Sequence, residues 1–173
     1  MSKKGNGMRE LASECLFIAL LKLMDEKPYQ SISITEICDK AGVSRMAYYR
    51  NYNSKEEILT KHAEMIVEGV KKEIIANPGD IQIWQNIYEY LSQHNIFYKL
   101  SEAGLIQYFS NLVKELVFFV QKEVMHKDIN DEKVQIEAYV HMGLYMSLIF
   151  YTIDTGKKLD LQEMLKQAKT SLI

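Results

Sequence analysis

The sequence predicts an all-α protein with a small N-terminal helical module and a larger helical C-terminal domain. Two prolines and eight glycines in 173 residues leave few positions at which a helix must end. Apolar residues recur at the three- and four-residue spacing of amphipathic helices, without the alternation typical of half-buried strands. With 47% hydrophobic and 25% charged residues, the chain can bury a core, which argues against disorder.

The first helix is predicted from Met8 to Glu26, because Pro28 cannot continue it. The face expected to be buried is apolar and is traced by Leu11, Cys15, Ile18 and Leu21 or Leu23. Both cysteines of the chain fall in such apolar helical patterns and are expected to be free thiols.

Two short helices are predicted next, around a tight turn. Ser33 can cap a second helix over Ile34–Ala41, and Gly42 can adopt the positive φ that a turn requires. Ser44 can then cap a third helix over Arg45–Asn51.

A long fourth helix is expected to start at the capping box formed by Ser54 and Glu57, and the sequence Asn77-Pro78-Gly79-Asp80 ends it. We place the domain boundary within this helix, with residues 1–60 and 61–173 as the two domains. The remaining pattern predicts helices at 81–94, 96–101, 105–126, 132–155 and 159–172.

The positive charge of the chain is local. The net charge is −2, but residues 1–60 carry nine basic and eight acidic residues, which gives +1. Lys40–Lys55 contains four basic residues and no acidic one. Any nucleic-acid binding is therefore expected to concentrate on that short surface.

The sequence shows no motif of an enzyme, a metal-binding protein or a membrane protein. We find no nucleophile elbow, phosphate-binding glycine loop or zinc motif, so neither an enzyme nor a cofactor is expected. The four histidines show no metal-binding spacing. The longest uncharged stretch, Ala138–Ile153, has 16 residues, fewer than the ~20 that span a bilayer. With no signal-peptide pattern, a cytoplasmic protein without membrane contact is expected.

The segment Ile34–Tyr52 combines the features of a helix-turn-helix, in which the second helix lies in the DNA major groove. Ile37, Ala41, Val43 and Tyr48 are apolar at positions that fix the crossing of the two helices. The alternative is an ordinary helical corner, since A-G-V-S alone is common.

Over Tyr29–Leu59 the sequence resembles the TetR family of bacterial regulators, through I-x-x-x-A-G-V-S, Y-R-x-Y and S-K-E-E-I. The C-terminal half is more loosely similar to regulators of the dihydroxyacetone-kinase activator type. The resemblance implies a homodimer that reads a palindromic double-stranded operator, usually as a repressor released by a small-molecule effector.

The resemblance also implies roles for individual residues. Ser33 corresponds to a phosphate-binding cap, and Ser44 and Arg45 open the recognition helix. Met46 and Ala47 lie nearest the bases, where the family often has Gly and Thr. This departure favours apolar contact with thymine methyl groups.

Three further residues complete the expected interface. Tyr49 corresponds to a phosphate-binding tyrosine of the family, while Arg50 and Lys55 are expected to anchor the DNA backbone. Tyr48 and Tyr52 are expected in the core.

The C-terminal domain is expected to sense the effector and to dimerise. Its many aromatic residues suggest an apolar pocket with a few polar groups. The candidate pocket residues are Trp84, Tyr88, Tyr108, Tyr139, Met142 and Tyr145. Ala138–Ile153 is apolar on nearly every face, which favours a homodimer through the last two helices. A coactivator or interaction protein of the same fold, acting through protein contacts, is the alternative function.

Overall fold

The computed structural model describes residues 3–157, and its regular secondary structure in that range is helical. The predicted last helix, 159–172, lies outside the described residues. The helices are α1 (Lys3–Glu26), α2 (Ile34–Ala41), α3 (Arg45–Asn51), α4 (Glu56–Ala76), α5 (Ile81–Gln93), α6 (Ile96–Glu102), α7 (Ile106–Phe119) and α8 (Glu132–Thr155). A single 3₁₀ turn, Tyr29–Ser31, follows α1, and a π-helical turn, Val120–Val124, follows α7. The predicted all-α fold is confirmed.

The chain forms two compact units. The first contains the chain up to Ile66 together with Lys99–Leu105, and the second contains Val67–Tyr98 and the chain from Ile106 onward. The N-terminal unit thus includes a segment that lies far from it in sequence. The change between units falls inside α4, six residues beyond the boundary drawn from sequence.

In the first unit α1 packs against both α2 and α3. Its core is apolar and takes residues from four helices, the 3₁₀ turn and the segment before α4. The buried side chains include Leu16, Phe17, Leu20, Leu23, Met24, Tyr29, Ile37, Cys38, Tyr48, Tyr52, Ile58 and Leu59. The expectation that Tyr48 and Tyr52 belong to the core is confirmed.

The predicted buried face of α1 is right at Leu21 and Leu23, which are buried, and wrong nearer the start of the helix. Leu11 is 66% exposed and Ile18 42% exposed, whereas Leu16 and Leu20 are fully buried. The helix carries apolar residues on several sides, so spacing alone does not choose between faces. Helix α1 also begins at Lys3, five residues before Met8.

The turn between α2 and α3 is built as predicted. Gly42 has φ +65°, and its N–H donates to the carbonyl groups of Asp39 and Cys38. Most residues with a side chain disfavour this left-handed conformation, so the glycine allows α2 to end here. Ser33 and Ser44 cap α2 and α3, and the bounds of both helices match the prediction.

The start of α4 differs from the prediction. Glu57 accepts hydrogen bonds from the backbone N–H of Asn53 at 3.2 Å and from its side-chain amide at 2.9 Å. The residue expected to pair with Glu57 was Ser54, one position later. The helix begins at Glu56.

In the second unit α7 packs against α8. The helix predicted over 105–126 is interrupted, because α7 passes at Val120 into the π-helical turn. Helix α8 has the predicted bounds, with Asp131 as its N-cap and Gly156, at φ +66°, as its C-cap.

The position of the buried face of α1 can be tested by truncation. Leu20→Ala should lower the free energy of unfolding by about 2–5 kcal/mol, because it removes a fully buried side chain and leaves a cavity. Ile18→Ala, the matched control on the exposed side of α1, should change it by less than about 0.5 kcal/mol. Urea unfolding followed by circular dichroism measures both. Equal losses would contradict the assigned face.

Candidate nucleic-acid interface

Helix α3 has one buried residue, and most of its other side chains are exposed. Tyr48 is fully buried, and its ring contacts that of Tyr49 edge-on at 5.0 Å. Burial raises the pKa of the Tyr48 hydroxyl, so the residue is neutral and packs as an apolar anchor. At the start of the helix the Ser44 side chain accepts the Ala47 N–H at 3.2 Å. A buried ring and a cap thus fix the position of the helix.

The outward face of α3 carries the residues predicted to contact DNA. Met46 is 77% exposed and Tyr49 is 59% exposed. Arg45 and Arg50 are also exposed, and Ala47 is half-buried. Two cations, a phenol and a thioether therefore project from one short helix. These groups suit phosphate contacts and apolar contacts to base edges.

The two arginines differ from the lysines around them in their partners. Lys27 pairs with Glu36, and Lys40 pairs with Glu26 at 2.6 Å. Within residues 3–157, the ion pairs of the structure include neither Arg45 nor Arg50. Their charge is therefore available for an external anion.

Ser33 takes part in a complete capping box at the start of α2. Its Oγ accepts the Glu36 N–H at 3.3 Å, and its own N–H donates to the Glu36 carboxylate at 2.9 Å. The Ser33 hydroxyl also donates to that carboxylate, at 2.8 Å. A phosphate contact from this hydroxyl would therefore have to displace the bond to Glu36.

The Glu36 carboxylate is itself held by charge. The ammonium group of Lys27, together with the Ser33 N–H and hydroxyl, lowers the pKa of Glu36 to about 2. The side chain is therefore ionised at neutral pH, and the ion pair with Lys27 offsets its charge at the helix N-terminus.

Lys55 lies in a position that sequence reasoning did not anticipate. Its ammonium group donates to the carbonyl oxygens of Tyr29 at 2.8 Å, Ile32 at 2.9 Å and Gln30 at 3.3 Å. It also lies 4.3 Å from the centre of the Tyr29 ring. A lysine ammonium has three N–H donors, so these three carbonyls occupy all of them.

Sequence reasoning also missed Glu102, at the end of α6. Its carboxylate accepts the Tyr29 N–H at 3.2 Å, and nearby Lys99 pairs with Asp25 of α1 at 2.5 Å. In each of the two pairs, the two residues are more than 70 positions apart in the chain. No local sequence signal could have indicated either contact.

The candidate pocket residues all belong to the second unit. Trp84 and Tyr145 stack with ring centres 6.5 Å apart. Tyr88 contacts Phe97, and Tyr139, which is 52% exposed, contacts Phe118. Trp84, Tyr88, Tyr108 and Met142 are half-buried.

Among the described residues, no three His, Cys, Asp or Glu side chains are grouped as metal ligands. None of the helices in that part of the chain has the length and apolar character needed to cross a bilayer.

The N-terminal region is similar to a known domain family. Residues 18–61 match the domain family described as bacterial regulatory proteins, tetR family. The resemblance predicted from Tyr29–Leu59 is confirmed. No solved structure gives a significant match to the chain.

Two curated proteins are similar over longer segments. The HTH-type dhaKLM operon transcriptional activator DhaS of Lactococcus lactis is 28% identical over 117 residues, covering 61% of this chain and 60% of that protein. The HTH-type transcriptional activator FasR of Mycolicibacterium smegmatis is 30% identical over 76 residues, covering 41% and 35%. The matched segments thus span less than two thirds of either relative.

The capping box predicts a pH dependence. Because the pKa of Glu36 is lowered to about 2, its ionised form stabilises α2 fully above the ordinary carboxyl pKa. That contribution should fall as the pH decreases from about 4.5 towards 2. An NMR titration should place the Glu36 midpoint near 2, and Lys27→Met should move it upward. A midpoint at the ordinary value in the wild type would contradict the capping box.

Proposed function

We propose that this chain, whose N-terminal segment belongs to the tetR family, is a transcription regulator that binds operator DNA through α3. The observation that carries the proposal is the exposed face of that helix. Arg45, Met46, Tyr49 and Arg50 project from it, while Tyr48 anchors it in the core. The dimensions of an α-helix allow such a face to enter the major groove.

Each residue of the face has a proposed role. Arg50 and the Tyr49 hydroxyl bind phosphate oxygens, and Arg45 binds either a phosphate or a guanine edge. Met46 and Ala47 contact base edges, and the Met46 side chain offers an apolar surface to thymine methyl groups. Ser33 and Ser44 hold the N-termini of the two helices, with their hydroxyls close to the DNA backbone.

We propose that the chain acts as a homodimer through α8. Ile136 and Val140, which are 56% and 50% exposed, share one face of this helix with Gly143 and Ser147. No described atom lies within 4 Å of the position a Gly143 side chain would take. A glycine in the middle of a helix costs about 1 kcal/mol relative to alanine. Close approach of a second α8 would explain both the exposed apolar residues and the glycine.

We further propose that the second unit binds a small-molecule effector. Trp84 and Tyr145 supply a stacked aromatic pair. The Gln121 side chain is 1% exposed, and neither polar atom of its amide has a hydrogen-bond partner in the described part of the chain. A buried amide without partners is costly, so a ligand with a donor and an acceptor would be stabilised there.

The effector would act by shifting a conformational equilibrium. A ~100-fold change in operator affinity requires a differential binding energy of ~2.7 kcal/mol, within the usual range of coupling energies. Helix α4 contains the boundary between the two units, and we propose that a change in its tilt transmits the signal.

The sign of regulation has two candidates. The sequence alone predicts a repressor, whereas both curated relatives are named transcriptional activators. Those names favour activation as the second candidate. A reporter fused to the operator distinguishes them, since deletion of the regulator raises expression under repression and lowers it under activation. A variant that binds DNA normally but no longer regulates would favour action through protein contacts.

DNA binding through α3 can be tested with a double variant. Tyr49→Ala combined with Arg50→Ala should weaken specific binding by about 100-fold or more, because each protomer loses two phosphate contacts. The matched control, Met65→Ala with Lys72→Ala, removes one exposed apolar side chain and one exposed cation from α4 and should leave binding unchanged. Mobility shift on the DNA upstream of the coding region, then on a selected library, measures both. Equal affinities for the two double variants would refute the interface.

The dimer interface can be tested by placing a charge on α8. Val140→Glu should convert the dimer to monomers at micromolar concentration, because the carboxylate would be buried without a partner at the interface. His141→Glu makes the same change at the neighbouring exposed position, on another side of the helix, and should leave the mass unchanged. Sedimentation analysis measures both masses. A wild-type monomer, or two dimeric variants, would contradict this interface.

A further inference from the structure

The 3₁₀ turn between α1 and α2 sets the position of Ser33, because only Ile32 separates them. Two backbone hydrogen bonds define the turn. The Ser31 N–H donates to the Pro28 carbonyl at 3.0 Å, and the Ile32 N–H donates to the Tyr29 carbonyl at 3.1 Å. A single turn of this kind is weak in isolation. It therefore needs support from outside.

That support comes from Lys55. Its ammonium group joins the carbonyls of Tyr29 and Gln30, within the turn, to that of Ile32, the residue that follows it. A cation is the favourable charge at the C-terminal end of a helical turn, where carbonyl groups converge. The Tyr29 ring beneath the ammonium group is 1% exposed, which favours the cation further.

A second charged group holds the same turn from its other side. The Glu102 carboxylate accepts the Tyr29 N–H, while Lys55 binds the Tyr29 carbonyl. Both peptide groups flanking this buried residue thus have charged partners. Such bonds are about twice as strong as neutral ones.

We infer that Lys55 is a positioning residue, which fixes the 3₁₀ turn and through it Ser33 and the start of α2, and is not a contact to DNA phosphate. The geometry carries this assignment, because all three donors of the ammonium group are already used within the chain. A phosphate contact would have to break one of these bonds. The inference deepens the proposed function, and its affinity measurements rest on that function.

The test compares Lys55→Met and Lys55→Arg with the wild type and with Arg50→Gln. Operator affinity is measured between 50 and 200 mM salt, and amide hydrogen exchange is measured at Ser31 and Ile32. Lys55→Met removes the cation but keeps the apolar stem. Lys55→Arg keeps the cation, but its planar guanidinium does not fit three converging carbonyls as an ammonium does.

If Lys55 holds the turn, both Lys55 variants should lose about tenfold in operator affinity at every salt concentration. The salt slope should match that of the wild type, and exchange at Ser31 and Ile32 should accelerate. Arg50→Gln should instead reduce the slope by about 1.8, because a homodimer loses two phosphate contacts at about 0.9 each. Exchange at the turn should not change in that variant.

The opposite pattern overturns the inference. If Lys55 binds phosphate, Lys55→Met should flatten the salt slope as Arg50→Gln does, Lys55→Arg should bind like the wild type, and exchange should be unchanged. If the wild type binds no specific DNA, the proposed function fails separately. The exchange measurement then decides the inference alone, and unchanged protection in both Lys55 variants overturns it.

Discussion

The burial of Tyr48 is the contact on which the rest of the proposed interface depends. Helix α3 has seven residues, which is too short to be stable by itself in water. It persists because the Tyr48 ring is fully enclosed by the first unit and because Ser44 caps the free N–H groups at its start. One buried side chain thus orients the exposed ones, and the same helix can present two arginines and a methionine to a partner.

Electrostatics in the first unit divides the cations into two groups. Lys27, Lys40 and Lys55 bind carboxylates or carbonyls of the chain itself. Arg45 and Arg50 have no such partner in the described ion pairs, so the four basic residues of Lys40–Lys55 reduce to two that face outward. Affinity for DNA would then come from few phosphate contacts, which agrees with a nearly neutral N-terminal region. Base contacts from Met46 and Ala47 would have to supply much of the specificity.

The second unit combines a packed pair of helices with an exposed apolar stripe. Helix α8 buries Ala138, Met146 and Ile149, yet leaves Ile136 and Val140 half accessible. The helix is thus apolar on two sides, only one of which is covered within the described chain. The open space at Gly143 lies on the uncovered side. The proposed dimer face, with Ile136 and Val140, and the proposed effector site, with Tyr145, would both lie on α8 but at different residues.

Sequence alone determined the features that depend on neighbouring residues. The bounds of α2, α3 and α8 follow from caps and left-handed glycines, because each such signal acts within one helical turn. The exposed face of α3 follows from the same local pattern. Even a local signal can be misplaced by one residue, since Asn53 and not the predicted Ser54 pairs with Glu57.

Tertiary structure decided the rest. The buried face of α1 depends on which side meets α2 and α3, and the helix itself carries apolar residues on both. The π-helical turn after α7 contains no proline or glycine from which it could have been predicted. The sequence predicts Lys55 as a phosphate contact, whereas in the structure it donates hydrogen bonds to carbonyls more than 20 residues earlier in the chain. Propensity and spacing describe a residue's neighbours along the chain, whereas these partners are neighbours only after the chain has folded.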